Sequence, residues 1–294
     1  MERAAPIQYI DTHCHLPRLF RQQNFYSERT GRITIKFDQY RESHPHPFPL
    51  GFRGCISIWD TPKEFFTAPQ ILEGQARVAS VFGVHPLHCE DWSAVTADLI
   101  ERNLDNAPRA LAWGEIGLDY FVKPRGGQQP DKIQQRLAFR QQLEKAVRRD
   151  IPIVIHGRDA ETDLFKIMKE LVPRRHPIHR HCVTSPKDMT RFLEHFENSM
   201  LGYTGKLIGG GSTLVKDAVR MTPISRLLVE TDSPYFPPPS FASLPRRYAH
   251  RAHPGCARYV LEEVAKLKNL PLREVSERVL RNTQHLYGWS PPPL

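Results

Sequence analysis

No uninterrupted apolar stretch approaches the ~20 residues that span a bilayer, so no transmembrane helix is expected. The opening Met1-Glu2-Arg3-Ala4-Ala5-Pro6 lacks the apolar run of a secretory leader. Cysteine is sparse: Cys14, Cys55, Cys89, Cys182 and Cys256 are scattered, odd in number and never spaced as CxxC. This argues against a zinc ribbon and a disulfide framework, and fits a reducing compartment inside the cell, nucleus or cytoplasm. Acid is missing from two long stretches. Residues 233–261 carry Arg246, Arg247, Arg251 and Arg258 without one Asp or Glu, and residues 171–187 carry Arg174, Arg175, Arg180 and Lys187 in the same way. Lys plus Arg total 41 against 32 Asp plus Glu, a formal charge of +9. Such a balance suits an anionic partner such as nucleic acid, although arginines of this kind also form ordinary solvated surface.

Strand and helix patterns alternate instead. Apolar strand candidates fall at 7–13, 52–58, 78–84, 109–115, 152–156, 177–182, 200–203 and 227–231. Helical stretches fall between them at 90–104, 132–149, 162–171, 186–196 and 213–221. In the second of these, Gln135, Leu137, Phe139, Leu143, Ala146 and Val147 approximate one apolar face. This rhythm implies a (β/α)8 TIM-type barrel, with a doubly wound sheet as the alternative. The expected organisation is a single domain over 1–294, with a long early insertion at 18–51 and two covering helices within 255–287. The insertion is polar and rich in His and Pro, and reads as a long loop. It is a lid or a substrate-contacting arm, or a surface excursion without a role. His44 and His46 within it read as loop residues rather than ligands. Residues 233–245 form a second long, Pro-rich loop.

Five apolar segments each end in a potential metal ligand: His13 with His15, Glu115, His156, the His179/His181 pair, and Asp232. Side chains two apart on a strand point the same way, so His13 and His15 can reach one ion. The ends of barrel strands converge at one mouth. Imidazole and carboxylate donors there suit a metallo-hydrolase. Glu115 can bridge two ions. The glycines in Trp113-Gly114-Glu115-Ile116-Gly117 are expected to leave room for an ion and a substrate. Asp232 can ligate and also take a proton from water. Singly, a residue of this kind is more often a satisfied turn or cap residue.

The chain also resembles the TatD-type metal-dependent nucleases of the amidohydrolase-like barrels. The motifs are Asp11-Thr12-His13-Cys14-His15, Gly83-Val84-His85-Pro86, Gly114 to Asp119 with the spaced glutamines Gln135 and Gln142, Pro152 to Arg158, His181-Cys182-Val183, and Glu230-Thr231-Asp232-Ser233-Pro234-Tyr235. The runs Ile178-His179-Arg180-His181-Cys182 and Tyr248-Ala249-His250-Arg251-Ala252-His253-Pro254-Gly255 are similar to the animal TatD-domain protein 2 branch. The resemblance implies that His13, His15, Glu115 and Asp232 bind one divalent ion, and that Glu115, His156 and His181 bind another. It therefore favours His181 over His179. Magnesium or manganese is expected in activity, with zinc as the alternative. Val183 and Ser185 depart from the family pattern beside the pocket.

The expected activity is hydrolysis of nucleic-acid phosphodiesters, DNA or RNA, in the exonuclease mode that works inward from an end. Asp232 and Glu115 are the expected catalytic residues. His85, Arg158, Arg246, Arg247 and Arg251 are candidate phosphate contacts. Arg158 can instead pair with Asp159, Glu161 or Asp163. Tyr235 or Phe236 can stack a base or simply pack the loop. The expected partner is single-stranded DNA or RNA, bound by a monomer away from membranes. The rival functions are a small-molecule amidohydrolase or phosphotriesterase-like hydrolase, and a nucleic-acid-binding scaffold without catalysis.

Overall fold

The structure, a computed structural model, describes residues 6–121, 130–208 and 212–293. Most of the opening segment, Met1 to Ala5, lies outside them. Eight parallel strands form one sheet in chain order: β1 (Tyr9–Cys14), β2 (Phe52–Trp59), β3 (Val78–Phe82), β4 (Ala110–Asp119), β5 (Ile153–Arg158), β6 (Ile178–Arg180), β7 (Ser199–Tyr203) and β8 (Leu227–Val229). The sheet curls until its edges meet. Thr12 Oγ1 donates to Val229 O at 2.9 Å, Asp232 N to His13 O at 2.9 Å, and His15 N to Ser233 O at 2.8 Å. The result is the expected (β/α)8 barrel, and all eight strands lie where the apolar runs predict.

Alternation along each strand builds two cores. Ile56 and Ile58 of β2 point into the barrel with Ile10, Ala79, Val81, Ala112, Val154, Met200 and Leu228. Cys55 and Trp59 of the same strand point outward beneath the helices. Both faces are buried, so the strands read as continuous apolar runs rather than alternating ones. Leu286, Tyr287 and Trp289 at the end of the last helix join the inner core. That helix (Leu272–Tyr287) and its predecessor (Ala257–Lys268) pack on β1 and β8. All five cysteines are free.

Two expectations need correction. On helix Lys132–Arg148 the buried face is Gln135, Ala138, Phe139, Gln142, Leu143 and Ala146, while Leu137 is 55 % exposed. The glutamines take the inner face because they satisfy backbone at strand ends. Gln142 accepts from Val84 N at 2.8 Å and donates to Val84 O at 3.0 Å. Gln135 does the same for Asp119, at 2.9 Å both ways. Residues 18–51 are also not a structureless loop. They hold most of helix Leu16–Gln22, a short antiparallel pairing of Tyr26–Ser27 with Arg32–Ile33, and helix Phe37–Ser43. Phe20, Phe25, Phe37, Tyr40 and Phe48 pack edge to face there, against Phe52 at the start of β2. Their polar neighbours mask this cluster in the averaged sequence. His44 and His46 face His253, with ring centroids 4.5 Å and 5.5 Å away, and so tie the insertion to the later loop.

Candidate metal centre

β1 presents His13, and His15 follows the strand at the cap of helix Leu16–Gln22, with their Nε2 atoms 3.4 Å apart. β4 brings Glu115 beneath them. Its Oε2 lies 3.3 Å from His13 Nε2 and 3.6 Å from His15 Nε2. Its Oε1 faces the other way, 2.8 Å from His156 Nδ1 on β5 and 3.7 Å from His181 Nε2 beyond β6. Asp232, just past β8, divides its carboxylate in the same sense. Oδ1 lies 3.3 Å from His15 and 3.9 Å from His13, and Oδ2 lies 3.8 Å from His181. Asp232 holds this position with φ at +56°, a left-handed conformation that costs a non-glycine residue of order 1 kcal/mol. The hydrogen bond from its amide to His13 O fixes that conformation in place.

The cluster is largely buried and rich in carboxylate. Burial works against charge on Glu115, yet His13 and His181 beside it hold its carboxyl well below the usual range. Burial likewise opposes a proton on His13, but Glu115 reverses this and lifts its pKa to about 9. His156 also rises to about 9, through Asp119 and Glu115 and against burial. The pocket therefore favours positive charge. His13 Nδ1 and His15 Nδ1 are buried without a hydrogen-bond partner. The two Nε2 atoms face each other and the oxygens of Glu115 and Asp232, a convergent donor set whose lone pairs a cation could accept. The set His13, Glu115, His181 and the set His13, His15, Asp232 each bring ligating atoms within 4.8 Å of one another. The residues present thus fit divalent metal, and imidazole with carboxylate suits Zn, Mn, Fe or Co.

Around this cluster stand residues that the apolar strand ends do not signal. Asp119, at the end of β4, lies 3.3 Å from His156 Nε2, and with His85 forms a further close ligating group. Asp60 follows the last residue of β2, is fully buried, and lies 3.7 Å from His15 Nδ1. The pattern that marks Glu115 and Asp232 marks Asp60 too once β2 is extended by a residue or two. Asp11 accepts hydrogen bonds from Thr231 N, Thr231 Oγ1 and His13 N, binding β1 to the end of β8. His179 points away from the cavity, between Glu230 and Tyr287.

The glycines near Glu115 serve packing rather than access. A Cβ on Gly114 would lie 2.6 Å from Val154 Cβ, and one on Gly117 would collide with His156 O. They let β4 approach β5. Gly202 on β7 plays a similar part, since a Cβ there would strike the Glu230 carboxylate. Ser185 caps helix Pro186–His195 by accepting from Asp188 N at 3.3 Å.

A cavity of about 870 Å³ opens beside the cluster, lined by His156, His181 and Asp232. Arg158, Lys187, Arg191 and Lys206 line it as well, with Phe121, Tyr235 and Phe236. Among the described residues, none of these four cations is in an ion pair. Arg158 lies on the Phe121 ring at 3.6 Å, while Asp163 pairs with Arg136 at 3.1 Å instead. His85 is buried with its ring centroid 4.5 Å from that of His156. Its Nδ1 accepts from Leu87 N at 3.1 Å. The three loop arginines are elsewhere. Arg246 and Arg251 line a separate depression with His250 and Gln22. Arg247 covers the Phe25 ring at 3.7 Å and donates to Gln23 O, so it holds the insertion.

Comparison with known proteins agrees with this picture. The chain is 35 % identical over 286 residues to the human 3'-5' RNA nuclease TATDN2, covering 95 % of this chain and 35 % of that protein. It therefore spans about a third of that relative's length. It is 32 % identical over 212 residues to the 3'-5' ssDNA/RNA exonuclease TatD of Erwinia amylovora, covering 71 % and 78 % of the two chains. An uncharacterized metal-dependent hydrolase of Bacillus subtilis, YabD, is 29 % identical over 75 % of this chain and 81 % of its own length. In fold, the crystal structure of the TatD homolog YjjV from Escherichia coli superposes with a TM-score of 0.75 at 23 % identity, covering 96 % and 99 % of the two chains. The family model described as TatD related DNase matches residues 10–288. The chain belongs to the TatD related DNase family.

Proposed function

We propose that the chain is a metal-dependent nuclease that hydrolyses phosphodiesters of single-stranded DNA or RNA from an end. The observation that carries this reading is the shared division of Glu115 and Asp232, each turning one oxygen to His13 and His15 and the other to His181. His13, His15, Glu115 and Asp232 would hold one divalent ion, and Glu115, His156 and His181 a second. Magnesium or manganese fits activity, with zinc as the alternative. Bound there, such ions supply Lewis acidity and lower the pKa of water.

The chain's own residues do the rest. Burial pushes the Asp232 carboxyl up, but His181 and His15 hold it below its ordinary value. It is thus ionised and available to accept the proton of an attacking water. Arg158, Lys187, Arg191 and Lys206 offer charge to the phosphates entering the cavity. The names of the human and Erwinia relatives support the same chemistry. The test is cleavage of end-labelled single- and double-stranded DNA and RNA with Mg and Mn compared. Products shortening stepwise from a 3' end of a single strand are expected. Turnover of amide or phosphotriester substrates with no oligonucleotide cleavage would overturn the reading.

A further inference from the structure

Tyr235 presents an unusual combination of exposure and restraint. It follows Asp232 in the chain and lines the cavity, with its amide donating to Asp232 O at 2.9 Å. Its side chain is 41 % exposed, and its ring stands edge-on to His15 with centroids 6.4 Å apart. Exposed tyrosines ordinarily move freely. This one is anchored at its far end, where Arg18 Nη1 donates to the phenolic oxygen at 3.0 Å. Arg18 is itself fixed, because its Nη2 donates to both oxygens of Asp60 at 3.1 Å and 3.0 Å. The Asp60 side chain is fully buried, and its backbone carbonyl accepts from His85 N at 3.1 Å.

Taking a carboxylate out of water is costly, and pairing only repays the cost when geometry is good. Here the pair's outward product is one fixed aromatic face beside the candidate metal centre. The adjacent Phe236 contrasts with it. Phe236 packs on Gly205, where an added Cβ would lie 3.0 Å from its own Cβ, and under Lys206 Nζ at 5.0 Å. Phe236 is thus loop packing, and Tyr235 is the open platform.

We propose that Tyr235 stacks the base next to the scissile phosphodiester, and that Arg18 and Asp60 are positioning residues that hold its ring there. The proposal rests on the nuclease reading and deepens it. Every base has a stacking face, so such a platform accepts any sequence but requires an unpaired base. Duplex ends, whose bases are already stacked, are poor substrates for it.

The experiment replaces one base with an abasic sugar at each of the last few 3' positions of a labelled single strand. Wild-type protein should lose roughly tenfold in kcat/KM at one position, within the range for a base on an aromatic ring. Tyr235→Ala should be slower on the intact strand by a similar factor and indifferent to the abasic position. Tyr235→Trp should restore the discrimination. Tyr235→Phe and Arg18→Met, which cut the anchor but keep the ring, should raise KM more than they lower kcat. Without activating metal, 2-aminopurine at the sensitive position should lose fluorescence on binding wild type and keep it with Tyr235→Ala. Equal cleavage of intact and abasic strands by wild type, or full discrimination by Tyr235→Ala, overturns the proposal. If wild type cuts no oligonucleotide under any divalent ion, the nuclease reading fails first and the proposal with it.

Discussion

Glu230 Oε1 lies 2.9 Å from His181 Nδ1, on the side of the ring away from Glu115. The other Glu230 oxygen lies 2.9 Å from His179 Nε2, whose Nδ1 meets Tyr287 Oη at 2.7 Å. A chain of contacts thus runs from the last helix to the candidate ligand. Partners of this kind fix the tautomer and orientation of a ligating histidine. His181→Ala should lose nearly all turnover and bound metal. His179→Gln should lose about tenfold in metal affinity, the lower end expected for an outer partner. Calorimetric titration with Mn separates the two. Equal losses in both variants would mean that His179 ligates.

Asp232→Asn should keep oligonucleotide binding and lose cleavage by at least about a hundredfold, in line with removal of a positioned proton acceptor. The loss should appear in kcat rather than KM, since the carboxylate acts mainly in the transition state. Single-turnover kinetics under saturating metal measures it. Wild-type rates in this variant would assign the proton transfer to another residue.

The basic residues that line the cavity differ from those singled out by the acid-free loop. Lys187→Glu with Lys206→Glu should weaken single-strand binding and flatten its salt dependence, by about 0.7 in slope for each phosphate left without its cation. Arg246→Glu with Arg251→Glu should leave the slope near that of wild type, because both line a separate depression. Fluorescence anisotropy against KCl, without activating metal, reads both. The opposite pattern would return the strand to the loop.

The barrel and the central cluster were legible because each depends on local pattern. Eight apolar runs mark the strands, and His13, Glu115, His156 and Asp232 stand at or near their ends. Long-range partners were not. Asp60 carries the strand-end signal only once β2 is extended, and its partner Arg18 meets it only in the folded chain. What Gln135 and Gln142 do on their helix is seen only when Asp119 and Val84 take their hydrogen bonds. Arg247 looks like a phosphate contact, but the Phe25 ring and Gln23 carbonyl that occupy it lie more than two hundred residues away in sequence. Charge counts do not reveal which cations folding has already paired.

The histidines that fasten the insertion should make it sensitive to acid. Burial lowers His44 from 6.5 to about 4. Burial, with His44 and His46 nearby, lowers His253 well below its usual value. A depressed histidine is held neutral, so its stabilisation is complete above pH 6.5 and is lost as pH falls toward 4. For His44 alone the linkage has a ceiling of about 3 to 4 kcal/mol, reduced by solvent screening of the ring. Hydrogen-exchange protection over 18–51, measured relative to the intrinsic amide rate at each pH, should therefore fall between pH 7 and 5. His253→Asn, which keeps an acceptor for Gly255 N, should reduce that response. Protection that is flat across this range would show that the aromatic cluster alone holds the insertion.

The seam where β1 meets the segment after β8 has a consequence for synthesis. Asp232 is held at the cluster by the bond from its amide to His13 O, with Ser233 O accepting from His15 N, and those histidines are made more than two hundred positions earlier. No chain that stops short of Asp232 can assemble the set, because the first and last donors sit side by side only after the barrel shuts. A polypeptide still on the ribosome therefore carries its histidines long before it carries a complete centre. Bringing such distant ends together costs little more entropy than a loop half as long, so the delay comes from order of synthesis rather than from an energetic barrier.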